Sequence, residues 1–281
     1  MSRYPLQGKT VLVTGGAGGI GAASGRALHS RGANVVLAGR RLEAVSAVAR
    51  DLGPERAMAV SVDVTDRVAL DEVVSRTVER FGGLDVVFAN AGIAAPGTIA
   101  AIDPEDFEKV VEVNLLGVWR TVRAALPQVI AARGHVLVCA SMYSYFNGFA
   151  NAPYAASKAA IEQFTRALRV ELAGHQASAG VLYPGWVDTP MTYPAFGGDA
   201  LLTRMRETLC PKVLRGTVSP QCVARQVVTG IESRAASIMV PGRWRPLVAL
   251  RGVINPVVDR RLAHHARLQA LLRQFEAAVG R

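Results

Sequence analysis

The chain has 281 residues, half of them hydrophobic and 19% charged, which suits a globular protein built as one large α/β domain or two small ones. It holds no uncharged apolar run of about 18 residues, which excludes a hydrophobic spanning helix in it, and since it enters an apolar strand almost at once no cleavable signal is expected. The net charge of +10 is unevenly placed: residues 1–202 carry 18 basic and 18 acidic groups, whereas residues 203–281 carry 14 and 4.

In chain order, "KTVLVTGG" reads as a strand followed by a helix over 19–31, and "ANVVLAGR" as a second strand with a helix over 42–52. "RAMAVSVD" precedes a helix over 66–81, and "LDVVFANAG" precedes the long segment 104–132. "GHVLVCAS" precedes a helix over 152–173, then come "ASAGVLYPG" and "SIMV" at 237–240. Short apolar strands alternating with helices predict an α/β fold with a doubly wound parallel sheet covered on both faces. With no linker and no repeat, a single domain over 1–242 is expected, followed by an irregular tail from about residue 241. Cys139, Cys210 and Cys222 are odd in number and lack metal-ligand spacing, so they read as reduced thiols of a cytoplasmic protein with no metal site.

The first strand ends in "TGGAGGIG". Glycines between a strand and a helix let the backbone approach a pyrophosphate, and the helix N-terminus offers free N–H groups and the positive end of its dipole. Two frames fit: Gly16, Gly18 and Gly21 match GxGxxG, while Thr14, Gly15, Gly19 and Gly21 match TGxxxGxG. Either points to a dinucleotide against the alternative of a tight structural turn. At the end of the second strand, where an acid would hold a ribose 2′-hydroxyl, stand Gly39, Arg40 and Arg41. Guanidinium groups pair with a 2′-phosphate, which points to NADP(H) over NAD; the competing reading is a pair of arginines that merely caps a strand.

In "NAPYAASKAAIEQF" Tyr154 and Lys158 lie four apart in an Ala-rich helical run, on one face. A cation about 4 Å from a phenol is worth about 4 kcal/mol at an effective dielectric near 20, before desolvation is subtracted. That predicts a Tyr154 pKa lowered by two or three units at most, into the range of a general acid/base. With six Tyr and four Lys, such a pair arises by chance in roughly one chain of this size in twelve, so its weight depends on its surroundings.

Those surroundings are "TGGAGGIG", "DVT" at Asp63, "NAG" at Asn90, "NLLG" at Asn114, "VCAS" ending at Ser141, "YAASK" and "YPGWVDTPM", in that order. Over residues 6–242 the chain resembles a short-chain dehydrogenase/reductase of the shorter-chain branch, with a Rossmann-type sheet of about seven strands. The resemblance implies that Tyr154 is the general acid/base and that Lys158 holds the nicotinamide ribose and tunes Tyr154. It implies that Ser141 binds the substrate oxygen, with Ser144 a nearby rival, and that Asn114 supports a water chain or caps a helix kink. It also implies a cofactor site formed by Thr14, Gly15, Gly16, Ala17, Gly19, Ile20 and Gly21, by Arg40, Arg41, Asp63 and Val64, by Asn90, Ala91 and Gly92, by Tyr154 and Lys158, and by Pro184, Gly185, Val187 and Thr189.

Substrate contacts are expected from Ser141, Met142, Tyr145, Trp186 and Met191, in a segment rich in aromatics that suits a lipophilic alcohol, ketone or aldehyde. The alternative is that these aromatics pack a core or a dimer interface. Residues 190–210 read as a lid with Gly197 and Gly198 as hinges. The basic amphipathic extension 243–281 has helical spacing over 259–278, at Leu262, Leu268, Leu271, Leu272 and Phe275, and three competing readings: packing over the cleft or a neighbouring subunit, lying on anionic lipid as a peripheral membrane contact, and nucleic-acid binding. It argues for a homodimer over a tetramer. The function these readings favour is NADP(H)-dependent alcohol–carbonyl interconversion, with NAD as the lesser cofactor; a silent dinucleotide sensor or membrane-associated scaffold is the alternative.

Overall fold

The computed structural model describes residues 3–210 and 215–279. Seven apolar segments form one all-parallel sheet: β1 (Thr10–Thr14), β2 (Asn34–Gly39), β3 (Ala57–Ser61), β4 (Val86–Ala89), β5 (His135–Cys139), β6 (Ser178–Pro184) and β7 (Ser237–Val240). Their spatial order is β3-β2-β1-β4-β5-β6-β7. The order reverses between β1 and β4, and in such sheets the carboxyl ends of the strands at that switch form a ligand crevice. Helices α1 (Gly19–Ser30), α2 (Leu42–Leu52) and α3 (Arg67–Phe81) connect the first four strands. The sheet is apolar on both faces because each face is roofed, one over Leu12, Val36, Val87 and Val136, the other over Val11, Val35, Val86 and Leu137.

The long segment after β4 is one helical stretch with a defect in it. Helix α4 (Pro104–Val111) runs into a π-helical turn (Glu112–Leu116) and on into α5 (Gly117–Ala131). Asp103 caps the start by accepting from the Glu105 N–H, and Pro104 occupies the first turn, where its missing N–H costs nothing. The catalytic-looking run is α6 (Ala152–Leu172); α7 (Ala200–Leu209), capped by Asp199, and α8 (Pro220–Glu232) follow it.

The tail departs from the expected irregular chain. It folds as α9 (Arg245–Ala249), α10 (Arg251–Ala263) and α11 (Ala266–Val279). Trp244 and Val248 join the main core, with the Trp244 ring 5.5 Å from that of Phe146. Leu268, Leu271 and Phe275 of α11 form a separate apolar cluster with Met205 of α7 and Ala150. Among the described residues no helix is long and apolar enough to cross a membrane.

Candidate active site

The β1 end of the crevice is closed by backbone. Gly15 adopts φ +67°, and a Cβ at Gly21 would stand 2.2 Å from the Gly15 carbonyl oxygen, so α1 packs against the turn at a distance only glycine permits. The Thr14 hydroxyl accepts from the N–H groups of Asn90 (3.1 Å) and Ala91 (3.2 Å), and Asn90 Nδ2 donates to the Thr14 carbonyl. These bonds clamp the ends of β1 and β4 together. Gly16 packs on Leu37, Ala17 and Ile20 pack on the neighbouring core, and Gly19 leaves the space that the Thr189 methyl fills. The α1 N-cap is Gly18, which offers no side-chain acceptor, and the first turn holds no acid. An acidic ligand such as a pyrophosphate fits this cradle: open N–H groups, a favourable dipole and no competing carboxylate.

Arg40 and Arg41 lie exposed just beyond β2, and neither enters an ion pair among the described residues. Asp63 is occupied locally: its Oδ1 accepts from the Thr65 N–H (3.0 Å) and hydroxyl (2.9 Å). Burial works to raise its pKa, but these bonds and the Arg40 charge leave it below the usual carboxylate value. Val64 is buried against Gly117 at the head of α5.

At the β5 end the side chains converge. Asn114, fully buried in the π turn, accepts from the Ile93 N–H (2.8 Å) and donates to the Ile93 carbonyl (2.9 Å) and the Ser157 hydroxyl (3.1 Å). Lys158 Nζ donates to the Cys139 carbonyl (2.8 Å) and lies 5.5 Å from the centre of the Tyr154 ring. A Cβ at Gly92 would be 3.4 Å from that nitrogen and 3.2 Å from Asn114 Oδ1, so Gly92 clears the space between them. Ser141 accepts from the Tyr143 N–H and faces the Tyr154 hydroxyl, whereas Ser144 donates to the Lys158 carbonyl (2.7 Å) and is thereby engaged elsewhere.

The electrostatic expectation for Tyr154 is corrected. Burial dominates and pushes the phenol well above its usual value, and the Ser141 hydrogen bond opposes this without cancelling it. Burial also lowers Lys158, because a desolvated ammonium is disfavoured in the same way as a desolvated phenolate. The site as built holds Tyr154 as an acid with its proton in place.

The substrate side is also corrected in part. Met142 and Tyr145 point into the main core, and the Tyr145 ring lies 4.8 Å from that of Tyr183. They follow Ser141 in sequence, but the 3-10 turn at Met142–Ser144 stacks residues three apart, so Met142 and Tyr145 share the core side. The residue sequence reasoning passed over is Tyr143. Its ring meets Tyr154 edge-on at 5.7 Å and Trp186 at 6.0 Å, and Trp186 in turn meets Phe196 at 5.4 Å. Its position two residues after Ser141, within the same turn, was the available signal. Met191 is exposed on the segment before α7.

The "YPG" segment is held by the tail. The Gly185 N–H donates to the Val240 carbonyl (2.7 Å), and a Cβ there would come within 3.1 Å of Trp244 Nε1. Pro184 pairs with Val240 in the sheet, Val187 is buried, and its carbonyl accepts from the hydroxyls of Thr189 and Thr192. From α10, Arg251 stacks 4.7 Å over the Tyr145 ring and Asn255 Nδ2 donates to the Tyr145 carbonyl (2.6 Å).

The sequence profile of the family described as short chain dehydrogenase matches residues 9–198. An uncharacterised oxidoreductase of Staphylococcus aureus is 36% identical over 188 residues, covering 66% of this chain and 81% of that protein. Momilactone A synthase of rice (Oryza sativa subsp. japonica) is 38% identical over 197 residues, covering 69% of this chain and 72% of the enzyme. A short chain dehydrogenase of Burkholderia cenocepacia J2315, solved in complex with NADP, superposes with a TM-score of 0.75 at 31% identity, covering 85% of this chain and 98% of that one. With the profile spanning well over half of its length, the chain belongs to the short-chain dehydrogenase/reductase family of oxidoreductases.

Proposed function

We propose that the protein is an NADP(H)-dependent oxidoreductase that interconverts a lipophilic alcohol with its ketone or aldehyde. The observation that carries this reading is the grouping at the carboxyl end of β5: Tyr154 with its proton held by burial, Ser141 facing its hydroxyl, and Lys158 beside its ring. Thr14–Gly21 and Lys158 would hold a nicotinamide nucleotide, which would supply the hydride. Ser141 positions the substrate oxygen, and Tyr154 donates its hydroxyl proton to that oxygen in reduction or accepts one in oxidation. Lys158 is fixed by the Cys139 carbonyl, and Asn114 fixes the Ile93 backbone against α6 through Ser157. Burial keeps the Tyr154 phenol protonated at neutral pH, the form from which it donates to a carbonyl oxygen.

Three features support the finer terms. Arg40 and Arg41 stand exposed where an NAD-preferring site has an acid, and the Burkholderia cenocepacia relative was solved with NADP. The edge-on series Tyr154, Tyr143, Trp186 and Phe196 lines the reacting centre with aromatic rings, which suits an apolar substrate.

The test is cofactor oxidation by the purified protein, NADPH against NADH, across a panel of hydrophobic ketones and aldehydes. NADPH turnover is expected, with Tyr154→Phe lowering kcat/KM about 1,000-fold and leaving NADPH affinity within about twofold. Arg40→Ala is expected to weaken NADPH about tenfold and NADH hardly at all, the loss of about one charge-assisted pair. NADPH that binds but is never oxidised would sink the enzymatic reading in favour of a sensor.

A further inference from the structure

Helix α10 keeps its most exposed apolar side chains on its outer face. Its inner face mixes polar and apolar contacts: Arg251 stacks on Tyr145, Asn255 bonds the Tyr145 carbonyl and Leu262 packs on the α7–α11 cluster, while the exposed Asp259 at its rim accepts from Asn147 Nδ2 at 3.0 Å. Its outward face carries Val253 and Val257, 72% and 49% exposed, continued by Leu250 at 59%. No residue of α10 is buried. A helix on the surface of a water-soluble domain orients the other way, because apolar side chains gain by leaving water and charged ones lose.

The same outward face ends in basic side chains. Arg260, Arg261 and His264 lie one to two turns beyond Val257, and together with Val257 and Pro256 they line a shallow surface concavity. The helix's one acid, Asp259, accepts from Asn147 and forms no ion pair with them among the described residues. Residues 243–281 hold eight arginines against two acids, Asp259 and Glu276.

We propose that the outward face of α10 docks on an anionic lipid bilayer, with Leu250, Val253 and Val257 entering the acyl boundary and Arg260, Arg261 and His264 meeting the headgroup phosphates. Apolar residues and cations on one face are the combination that an anionic membrane surface satisfies at both ends, since hydrocarbon covers the valines while phosphate neutralises the arginines. A second copy of the chain would cover the valines but bring no matching acid to the arginines. The inward polar contacts at Tyr145 and Asn147 make α10 a rigid extension of the loop that follows Ser141, so docking sets that loop beside the bilayer. The proposal stands apart from turnover and concerns where the catalytic domain sits.

The experiment is sedimentation of the full-length protein with vesicles of phosphatidylcholine alone or with phosphatidylserine added, at low and high salt, beside sedimentation equilibrium without lipid. Binding is expected only to the serine-containing vesicles and is expected to fall at high salt. Val253→Glu with Val257→Glu, and separately Arg260→Glu with Arg261→Glu, should each weaken it at least tenfold while the melting temperature and NADPH affinity hold. Equal binding to neutral vesicles, no binding to either, or either double variant binding as the wild type overturns the proposal. A dimer that only the valine variant dissolves, without vesicle binding, also overturns it and assigns the face to self-association.

Discussion

On the β1–β4 side of the crevice the walls are backbone, whereas on the β5–β7 side they are side chains drawn from segments far apart in sequence. Gly15, Gly21 and Asn90 close the first by contacts that leave no space for a methyl group. Tyr143, Trp186 and Phe196 build the second, and behind it α11 reaches back some seventy residues to pack on Met205 of α7. A wall made of backbone cannot adapt to its ligand. A wall made of side chains can be rebuilt without touching the sheet.

The largest effect that could break this contrast comes from the tail. Phe275→Ala empties the centre of the α7–α11 cluster and is expected to cost about 3 kcal/mol locally, at the low end for a buried Phe. Hydrogen exchange should rise in 200–209 and 266–279 while NADPH affinity stays unchanged. A loss of NADPH affinity would show that the two sides are coupled after all.

Gly21→Ala tests the other wall. Its methyl meets the Gly15 carbonyl, so the turn must open, at about 2 kcal/mol of overpacking. NADPH binding should weaken more than tenfold with exchange in α7 unaltered; normal NADPH binding would show that the backbone wall yields.

The smallest effect sharpens the boundary between the sides. His135, fully buried where β5 meets β6, bonds Ser178 through Nδ1 and has its pKa depressed to about 3, chiefly by burial, with Arg169 and Arg234 adding. The folded state therefore holds it neutral, while the unfolded chain protonates near 6.5. Its stabilisation is complete above that value and is lost as pH falls from about 6.5 toward 3, at about 1 kcal/mol per unit. Urea midpoints between pH 7.5 and 5 should drop, and His135→Asn should flatten that drop; an equal drop in the variant would assign it to other groups.

The β1–β4 side was largely legible in sequence because backbone demands leave marks in composition: "TGGAGGIG" and "NAG" name their positions by what cannot be there. Tyr154, Lys158, Ser141 and Asn114 were likewise singled out, and the structure brings them to one place. In the tail, the helical spacing of Leu268, Leu271, Leu272 and Phe275 marked α11, whereas α10 stayed hidden because Arg251 and Asn255 face inward and Val253 and Val257 outward, against the usual periodic signal. Tyr145 and Met142 were misplaced because neighbours in a tight turn diverge, and the direction of each is set by Tyr183 and the core beneath. The sign of the Tyr154 shift depended on burial, a property of the finished fold.

The π turn at Glu112–Leu116 makes the number of residues in this stretch matter as much as their kind. Deleting one residue there would let Pro104 to Ala131 wind as a continuous α-helix, a better helix taken alone. It would also rotate everything before the deletion by about 100° about the axis relative to everything after it. Asn114 would then swing away from Ile93, and its two backbone bonds with it. Exposed side chains along α4 and α5 can be exchanged one at a time with modest loss, but a change in the count between Pro104 and Gly117 mistimes the whole helix against the crevice.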